Sequence, residues 1–468
     1  MLWTMIRKEW VNNLLELRFL VCATLCIFLA VVSVFVLRAD LTAKRADFNT
    51  NREIYRKQVE EYDGYSDLQR QGIRVDRPPQ NFQVLFYGME KTLDRTAVIS
   101  GDYLPGFEGD LNTNPVVLMF PVADLLFIVG VVLSLLAFFI SYDAVAGERE
   151  SGTLKLLLSY SVPRDIVILA KWIGGYLSLA LPFLAAMGLS ALIVGLSGGV
   201  HFTAQDWEAF LISGLVSLLL IAVMFSIGLF VSVRARRSST AILSLLAVWV
   251  LLALVVPNGG PFVAEIFAPV PDVGAVERQI AERIKAASDE FRSMFRGNRR
   301  RMRNMSQEDR AAFFQEVQQK RAKLRRTVNE ASEEVISDFE QRLRRQIDVA
   351  RTLTRLSPVA SYAYANTDIG ETGVRHQRNL VNGLRTYQRD FARYVEEKIE
   401  AESGGGDGFF GGSQDGEYDI EDMPVFTHRA EELAGRLASR TTDVLLLVVF
   451  SVLFFMGAFI SFLRTDIT

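Results

Sequence analysis

The stretch YDAVAGERESGTLKLLLSYSVPRDIVILAK, residues 142–171, decides how the rest of the chain is read. It is charged and helix-prone, yet it lies between two long apolar runs. Glu148, Arg149, Glu150, Lys155, Arg164 and Asp165 would each cost kilocalories in hydrocarbon, so the segment must emerge into water on one face of a membrane. Its Lys and Arg content, extended by Lys171, assigns that face to the cytoplasm. A short helix held there by two spans is a lever on which a soluble motor can push.

Working outward, hydrophobic residues make up 50% of the 468 and the formal net charge is −3, which excludes a polybasic nucleic-acid binder and an acidic disordered chain. The apolar residues gather into runs near 20–38, 116–141, 167–196, 208–233, 240–256 and 443–463. A helix of about 20 apolar residues crosses a ~30 Å hydrocarbon layer, so these runs predict six transmembrane helices in an all-α polytopic membrane protein. The predicted division is an interfacial helix over 1–17, spans at 18–38, 116–141, 167–196, 208–233, 240–256 and 443–463, a loop over 142–166, and external segments over 39–115 and 257–442. The first run lacks a small-residue cleavage signature and is read as a retained span.

Arg7, Lys8 and Arg18 precede the first span, Arg234, Arg236 and Arg237 separate the fourth from the fifth, and Arg464 follows the sixth. With six spans these all share one face with residues 142–171, while the opposite short loop, 197–207, has no Lys or Arg. Both termini are then cytoplasmic and the protein belongs in the cell membrane. Cys22 and Cys26, the only cysteines, sit one helical turn apart in the first span, so no external disulfide is expected and small-hydrophobe packing is preferred to metal ligation.

Within 1–17, Trp3, Ile6, Trp10 and Leu14 share a helical face while Arg7 and Lys8 point largely away, the pattern of a helix lying against lipid at the membrane surface. Segment 39–115 opens as a charged helix around Leu41–Tyr62 and then turns irregular, too short and polar for a large core of its own. From Val276 to Leu356 helix formers dominate. Leu324, Val328, Ala331, Val335, Phe339, Leu343 and Ile347 recur at intervals of three or four, predicting two long helices broken near Gly297 or Asn304 and packed as a hairpin, with Ser306 and Asp309 resembling a capping box. Residues 403–416 form a Gly-rich loop. The basic run Arg296, Arg299, Arg300, Arg301 and Arg303 reads as a solvated helix end balanced by Asp289, Glu290, Glu308 and Asp309 rather than a polyanion site.

The sequence has no GxxxxGK[ST] phosphate loop, HExxH or CxxC. GLSGG at 195–199 spells the G-x-S-x-G of a hydrolase elbow, but at the end of a span, where its glycines suit packing or a turn better than catalysis at Ser197. Asp124 is the main ionisable residue within a predicted span, and a snorkelling or capping role is preferred to a place on a pathway. Ion-coupled carriers need buried acids or bases near the midplane, so energy for any transport must come from elsewhere.

Residues 147–172, GERESGTLKLLLSYSVPRDIVILAKW, resemble the first cytoplasmic loop of ABC transporter permeases of the type-2 exporter class. The resemblance rests on Glu148 and Glu150, Gly152-Thr153-Leu154, a Leu-rich helix through Leu157 and Leu158 ending near Ser159, Pro163-Arg164 and Lys171. IRKEWVNNLLELRF, 6–19, is similar to the entry helix of that family, and RLSPVASYAYANTDIGETGVRHQRNL, 355–380, is similar to a subgroup with large external insertions whose function is poorly known. The resemblance implies that Glu148, Glu150, Gly152, Thr153, Leu154, Leu157, Leu158 and Arg164 couple to a separate ABC ATPase subunit. That subunit would bind ATP and Mg, leaving no cofactor, metal or catalytic residue on this chain. It also implies pairing with a second copy or a related permease, and export of a substrate. On the residues themselves, the leucines offer an apolar face and the acids a charged rim for registry against a partner. A device that works the external helices on an extracytoplasmic protein, without moving cargo, is the second reading.

Overall fold

The computed structural model describes all residues except 91–94, 101–105, 109–121, 160–161, 197, 303–306, 404–417, 429–430, 439 and 465–468. Ser197, the Gly-rich loop beyond Ser403 and the Ser306 cap therefore lie outside the described residues, as do the side chains of the 296–303 basic run.

The chain begins with α1 (Leu2–Leu15) and, after a bend at the extended residue Glu16, α2 (Leu17–Glu60). α2 does not stop at residue 38. No Gly or Pro interrupts 17–60, so the first span continues as one 44-residue helix, about 66 Å at 1.5 Å per residue. α3 (Tyr65–Gln71) follows, then a small antiparallel sheet of β1 (Ile73–Asp76), β2 (Thr96–Ile99) and β3 (Gly106–Glu108) in the order β1-β2-β3. This sheet replaces the irregular segment read from the sequence. Ile73 pairs with Ile99 and Val75 with Ala97, the alternation that buries one face.

α4 starts as Leu125–Phe127, continues as π-helical Ile128–Leu133 and ends as Ser134–Ser141. Then come the short α5 (Ala146–Glu150) and α6 (Thr153–Ser159), and the long α7 (Arg164–Leu196) and α8 (Ala204–Arg234). α9 runs Ser238–Trp249 into π-helical Val250–Val255 and is followed directly by α10 (Val256–Phe267). α11 (Val273–Met302), α12 (Gln307–Thr354), α13 (Pro358–Ile369), α14 (Val374–Ser403), α15 (Leu433–Ala438) and α16 (Thr441–Leu463) complete the order. Among the described residues six helices are long and apolar enough to cross a membrane, starting at Leu17, Leu125, Arg164, Ala204, Ser238 and Thr441.

Polar contacts sort the helix ends into two groups. Arg18 bonds Asp143, Lys171 bonds Glu9 and Glu148, Glu150 bonds Ser238 and Arg164 bonds the Leu463 carbonyl. At the opposite ends Arg45 donates to the Gly199 carbonyl, Asn81 to Asp206, and Asp124 accepts from the Tyr87 and Phe127 amides. Residues near both termini thus share one end, as six crossings require. Asp124 is a helix cap, accounted for without a pathway.

Residues 257–442 do not form one external body. Val256–Leu356 is a compact unit by itself, whereas 357–468 belongs with 1–255. In the 256–356 unit, α10 packs on α12 where small residues allow it: Ala264 is fully buried, and a Cβ on Gly260 would meet Thr354 at 2.2 Å. α11 packs along α12 as the predicted hairpin, and Gly297 lies within α11 rather than at a break, while Asn304 lies outside the described residues. In the larger unit a second core joins Val59, Tyr65, Leu68, Ile73, Ala97 and Ile99 to Leu380, Leu384, Tyr387, Phe391 and Val395 of α14. The buried apolar residues described between 41 and 99 therefore pack against distant parts of the chain, Leu41 and those of 82–86 against the spans and those of 59–73 with Ala97 and Ile99 against α14.

Candidate functional site: the α5–α6 element

α5 and α6 fill the connection between the second and third candidate spans. Gly152 separates them at φ +76°, a left-handed conformation in which a Cβ is unfavourable, and a Cβ there would touch nothing. Its amide donates to the Arg149 carbonyl and its carbonyl accepts from Lys155, closing one helix and opening the next. Thr153 donates its hydroxyl back to the Glu148 carbonyl and shares a 2.9 Å contact with Ser151. The corner is fixed by local bonds within the same eight residues, 148–155.

Four side-chain attachments hold the pair of helices to span ends. Ser232 of α8 accepts from the amides of Val145 and Ala146 at 3.1 Å each and donates to the Tyr142 carbonyl at 2.8 Å. Arg149 donates to the carbonyls of Ala235 and Val233 at 2.6 and 3.0 Å, satisfying the C-terminal end of α8. Glu150 accepts from the amide of Ser238, the first residue of α9, at 3.0 Å. Glu148 meets the Lys171 ammonium of α7 at 2.7 Å, and the same ammonium reaches Glu9 of α1 at 3.3 Å. Lys171 is buried, with its side chain 2% exposed, so its charge is carried by these two carboxylates.

The sequence reading cast Glu148 and Glu150 as a partner-facing rim and Leu154 as an anchor. In the structure Glu148 pairs with Lys171, Glu150 accepts from the Ser238 amide while remaining exposed, and Leu154 is buried in a cluster with Val145, Val167, Ile168, Leu229, Val233, Ala458 and Phe462, because the amphipathic α6 turns its apolar side onto the span ends. Leu157 and Leu158 are half-buried against the same cluster. What α6 presents outward is Leu156, 65% exposed, flanked by Lys155, Gly152 and Thr153. Arg164 caps the last turn of α16 through the Leu463 carbonyl at 3.2 Å.

α1 is similarly redirected. Ile6 is buried against α7, where Gly174 permits contact so close that a Cβ would lie 2.8 Å from Glu9. Trp10 is half-buried, while Trp3, Arg7 and Lys8 remain exposed. Ser232 and Glu9 were missed by the sequence reading: one is a lone hydroxyl in an apolar span, the other an ordinary acid on a short helix. Lys171 was flagged only as part of a motif. Among the described residues no group of three His, Cys, Asp or Glu is placed to hold a metal ion.

The architecture defines a multi-pass helical membrane protein in which a short polar element is bonded to the ends of the spans on either side of it. Residues 3–467 match the profile of the ABC-2 family transporter proteins, and the chain belongs to that family. It is 35% identical over 157 residues to a protein of Stutzerimonas stutzeri named probable ABC transporter permease protein NosY, covering 31% of this chain and 56% of that one. A protein of Pseudomonas aeruginosa with the same name is 33% identical over 139 residues, 28% of this chain and 48% of that protein. The chain thus spans about half the length of these curated relatives.

Proposed function

We propose that this chain is the membrane subunit of an ATP-driven ABC transporter, worked from its α5–α6 end by a separate ATPase subunit and pairing with a second copy or a related permease. The observation that carries this reading is the two-sided character of α6: its underside is locked to α7, α8 and α16, while Leu156 and Lys155 stand free. A push on that outer face is delivered to the spans because α5 is bonded to α8, α9, α7 and α1 through Ser232, Arg149, Glu150 and Glu148. The Arg and Lys residues gathered at this end favour a cytoplasmic location, where ATP is available. ATP and its Mg would be held by the partner, since this sequence lacks a phosphate loop. Family membership supports export of a substrate as the output.

The continuous α2 favours a second output in which the spans drive the outer domain without moving cargo, because one rigid helix joins the first span to the outer core at Val59. The test of docking is retention of a co-expressed ATPase by wild type and Leu156→Asp in nanodiscs. Loss of an exposed apolar anchor costs about 2 kcal/mol, some thirtyfold in affinity, without unfolding the chain. Equal retention and equal stimulated turnover would refute docking on α6. ATP-dependent cargo movement into sealed vesicles separates export from mechanical output.

A further inference from the structure

α13 lies between the fifth and sixth spans in sequence, yet it is buried along its length: Val359, Ala360, Ser361, Tyr362, Ala365, Asn366 and Ile369 are all covered. It packs against α8, α16 and the π-helical segments of both α4 and α9. Ser357, which caps its N-terminus, accepts from the amides of Val359 and Ala360 and donates to the carbonyl of Leu252, inside the π-helical segment of α9. Tyr362 donates to the carbonyl of Leu125 at 3.3 Å, at the foot of the α4 π segment, and lies 3.4 Å from the Ser217 hydroxyl of α8. Gly130, within the α4 π segment, leaves room for Val359, whose Cγ1 would stand 3.3 Å from a Cβ there. Trp249 of α9 donates to Ser134 of α4 at 2.9 Å, tying the two helices that carry π segments.

The far end of α13 is held to the segment that leads into the sixth span. Arg436 donates to the Ile369 carbonyl at 2.8 Å, and Arg440 pairs with Asp368. The turn that follows places Glu371 at φ +55°, an uncommon conformation for a side-chain-bearing residue. Thr372 in that turn accepts from the Met89 amide at 2.9 Å, and α14 then enters the outer core. Two shafts therefore run from the spans into that core: α2, continuous with the first span, and α13 with α14.

We infer that α13 is the output element of the membrane domain, which transmits displacement of the second, fourth and fifth spans through the 370–373 turn to α14, shearing the outer core against α2. The inference rests on the coupling reading above. A π segment holds one residue more than the α-helix it interrupts, and relocating that insertion shifts the helix beyond it by about 1.5 Å with a turn of one residue. Both π segments that could do so are seats of α13, and their carbonyls or side chains are its hydrogen-bond and packing partners. The alternating seat and the bonded wedge make a two-position device of ordinary packing.

The test joins Gly130→Cys with Val359→Cys in a Cys22→Ala, Cys26→Ala background, in nanodiscs with the ATPase bound, and follows amide exchange by mass spectrometry with and without ATP. In the reduced protein, ATP should change exchange in α5–α6 and also in 73–99 and 380–395. Oxidation to the disulfide should leave the α5–α6 response and abolish the outer one. An outer response that survives oxidation, or one that is absent while α5–α6 responds, overturns the role of α13 and leaves the coupling reading standing. A silent α5–α6 with ATPase bound overturns coupling, and the inference falls with it. Tyr362→Phe keeps the ring and removes the hydroxyl, so it remains testable if the cysteine pair fails to fold. It should speed exchange across α13 by about fivefold and shrink the outer response. Unchanged exchange in both places would remove Tyr362 as the tether.

Discussion

Glu148→Lys separates two ways in which the α5–α6 element could depend on its acids. If Glu148 faced a partner, reversal would weaken ATPase binding and leave the isolated chain intact. Its contact is instead the Lys171 ammonium at 2.7 Å, shared with Glu9 at 3.3 Å, with side-chain exposures of 2% for Lys171, 14% for Glu9 and 26% for Glu148. Removing one member of a buried pair costs about 3–5 kcal/mol, and the quarter-exposed Glu148 places this case near the lower figure, about 3 kcal/mol. Because Glu9 anchors α1 to the same ammonium, part of the loss should appear as release of α1 from α7. The assay is thiol labelling of Ile6→Cys in a Cys22→Ala, Cys26→Ala background, since Ile6 is buried in that contact. A 3 kcal/mol loss expressed wholly in that opening would raise the open population, and hence the labelling rate, by roughly a hundredfold, which is the upper bound of the expected increase. Unchanged labelling in Glu148→Lys would refute the internal clamp and return Glu148 to the partner-facing rim.

Ser232→Ala should leave the Val145 and Ala146 amides without their acceptor and cost about 2 kcal/mol, read as faster exchange of those two amides with the spans unaffected. Gly152→Val forces a β-branched residue to φ +76° at a cost of about 1–2 kcal/mol with no steric contact, so it should disturb the α5–α6 corner and ATPase retention while the 256–356 unit melts as before. Burial, with help from neighbouring His428, Arg77 and Arg436, lowers the His376 pKa from 6.5 to about 3. The unfolded chain therefore takes up a proton that the folded one refuses as pH falls below 6.5. Stability of the outer domain should drop by about 1.4 kcal/mol per pH unit from there down to about pH 3, and His376→Gln should flatten that slope in pH-dependent denaturant melts. Val335→Asp with Leu343→Asp, both half-buried along α12, should open the 256–356 unit to protease between 300 and 350.

Much of the membrane architecture was legible because it depends on local sums. Run length and apolar content make a span wherever they occur, and the α11–α12 hairpin announced itself through a repeat of three and four residues. The same local logic failed where a helix had no reason to stop: residues 39–60 carry no breaker, so α2 passes the membrane boundary that hydropathy alone marked at 38. The sheet was missed because its strands are three or four residues long and are buried by α14, far away in sequence. At the candidate site, the motif located the element but not the contacts its side chains make within the chain. An acid on an amphipathic helix looks identical from sequence whether it meets a partner or a lysine of its own chain.

By itself, the sequence determined six crossings, the shared end of the two termini, the helical character of the 276–356 segment and the position of the α5–α6 element, all consequences of transfer energy and backbone propensity acting over one or a few helical turns. The tertiary structure alone decided that Lys171 joins Glu148 to Glu9, 162 residues away, that Leu154 turns inward and Leu156 outward, and that α13 is buried among the spans. Those outcomes depend on which distant group neutralises a buried charge or receives a hydroxyl proton, and such pairing is fixed only when the helices have packed.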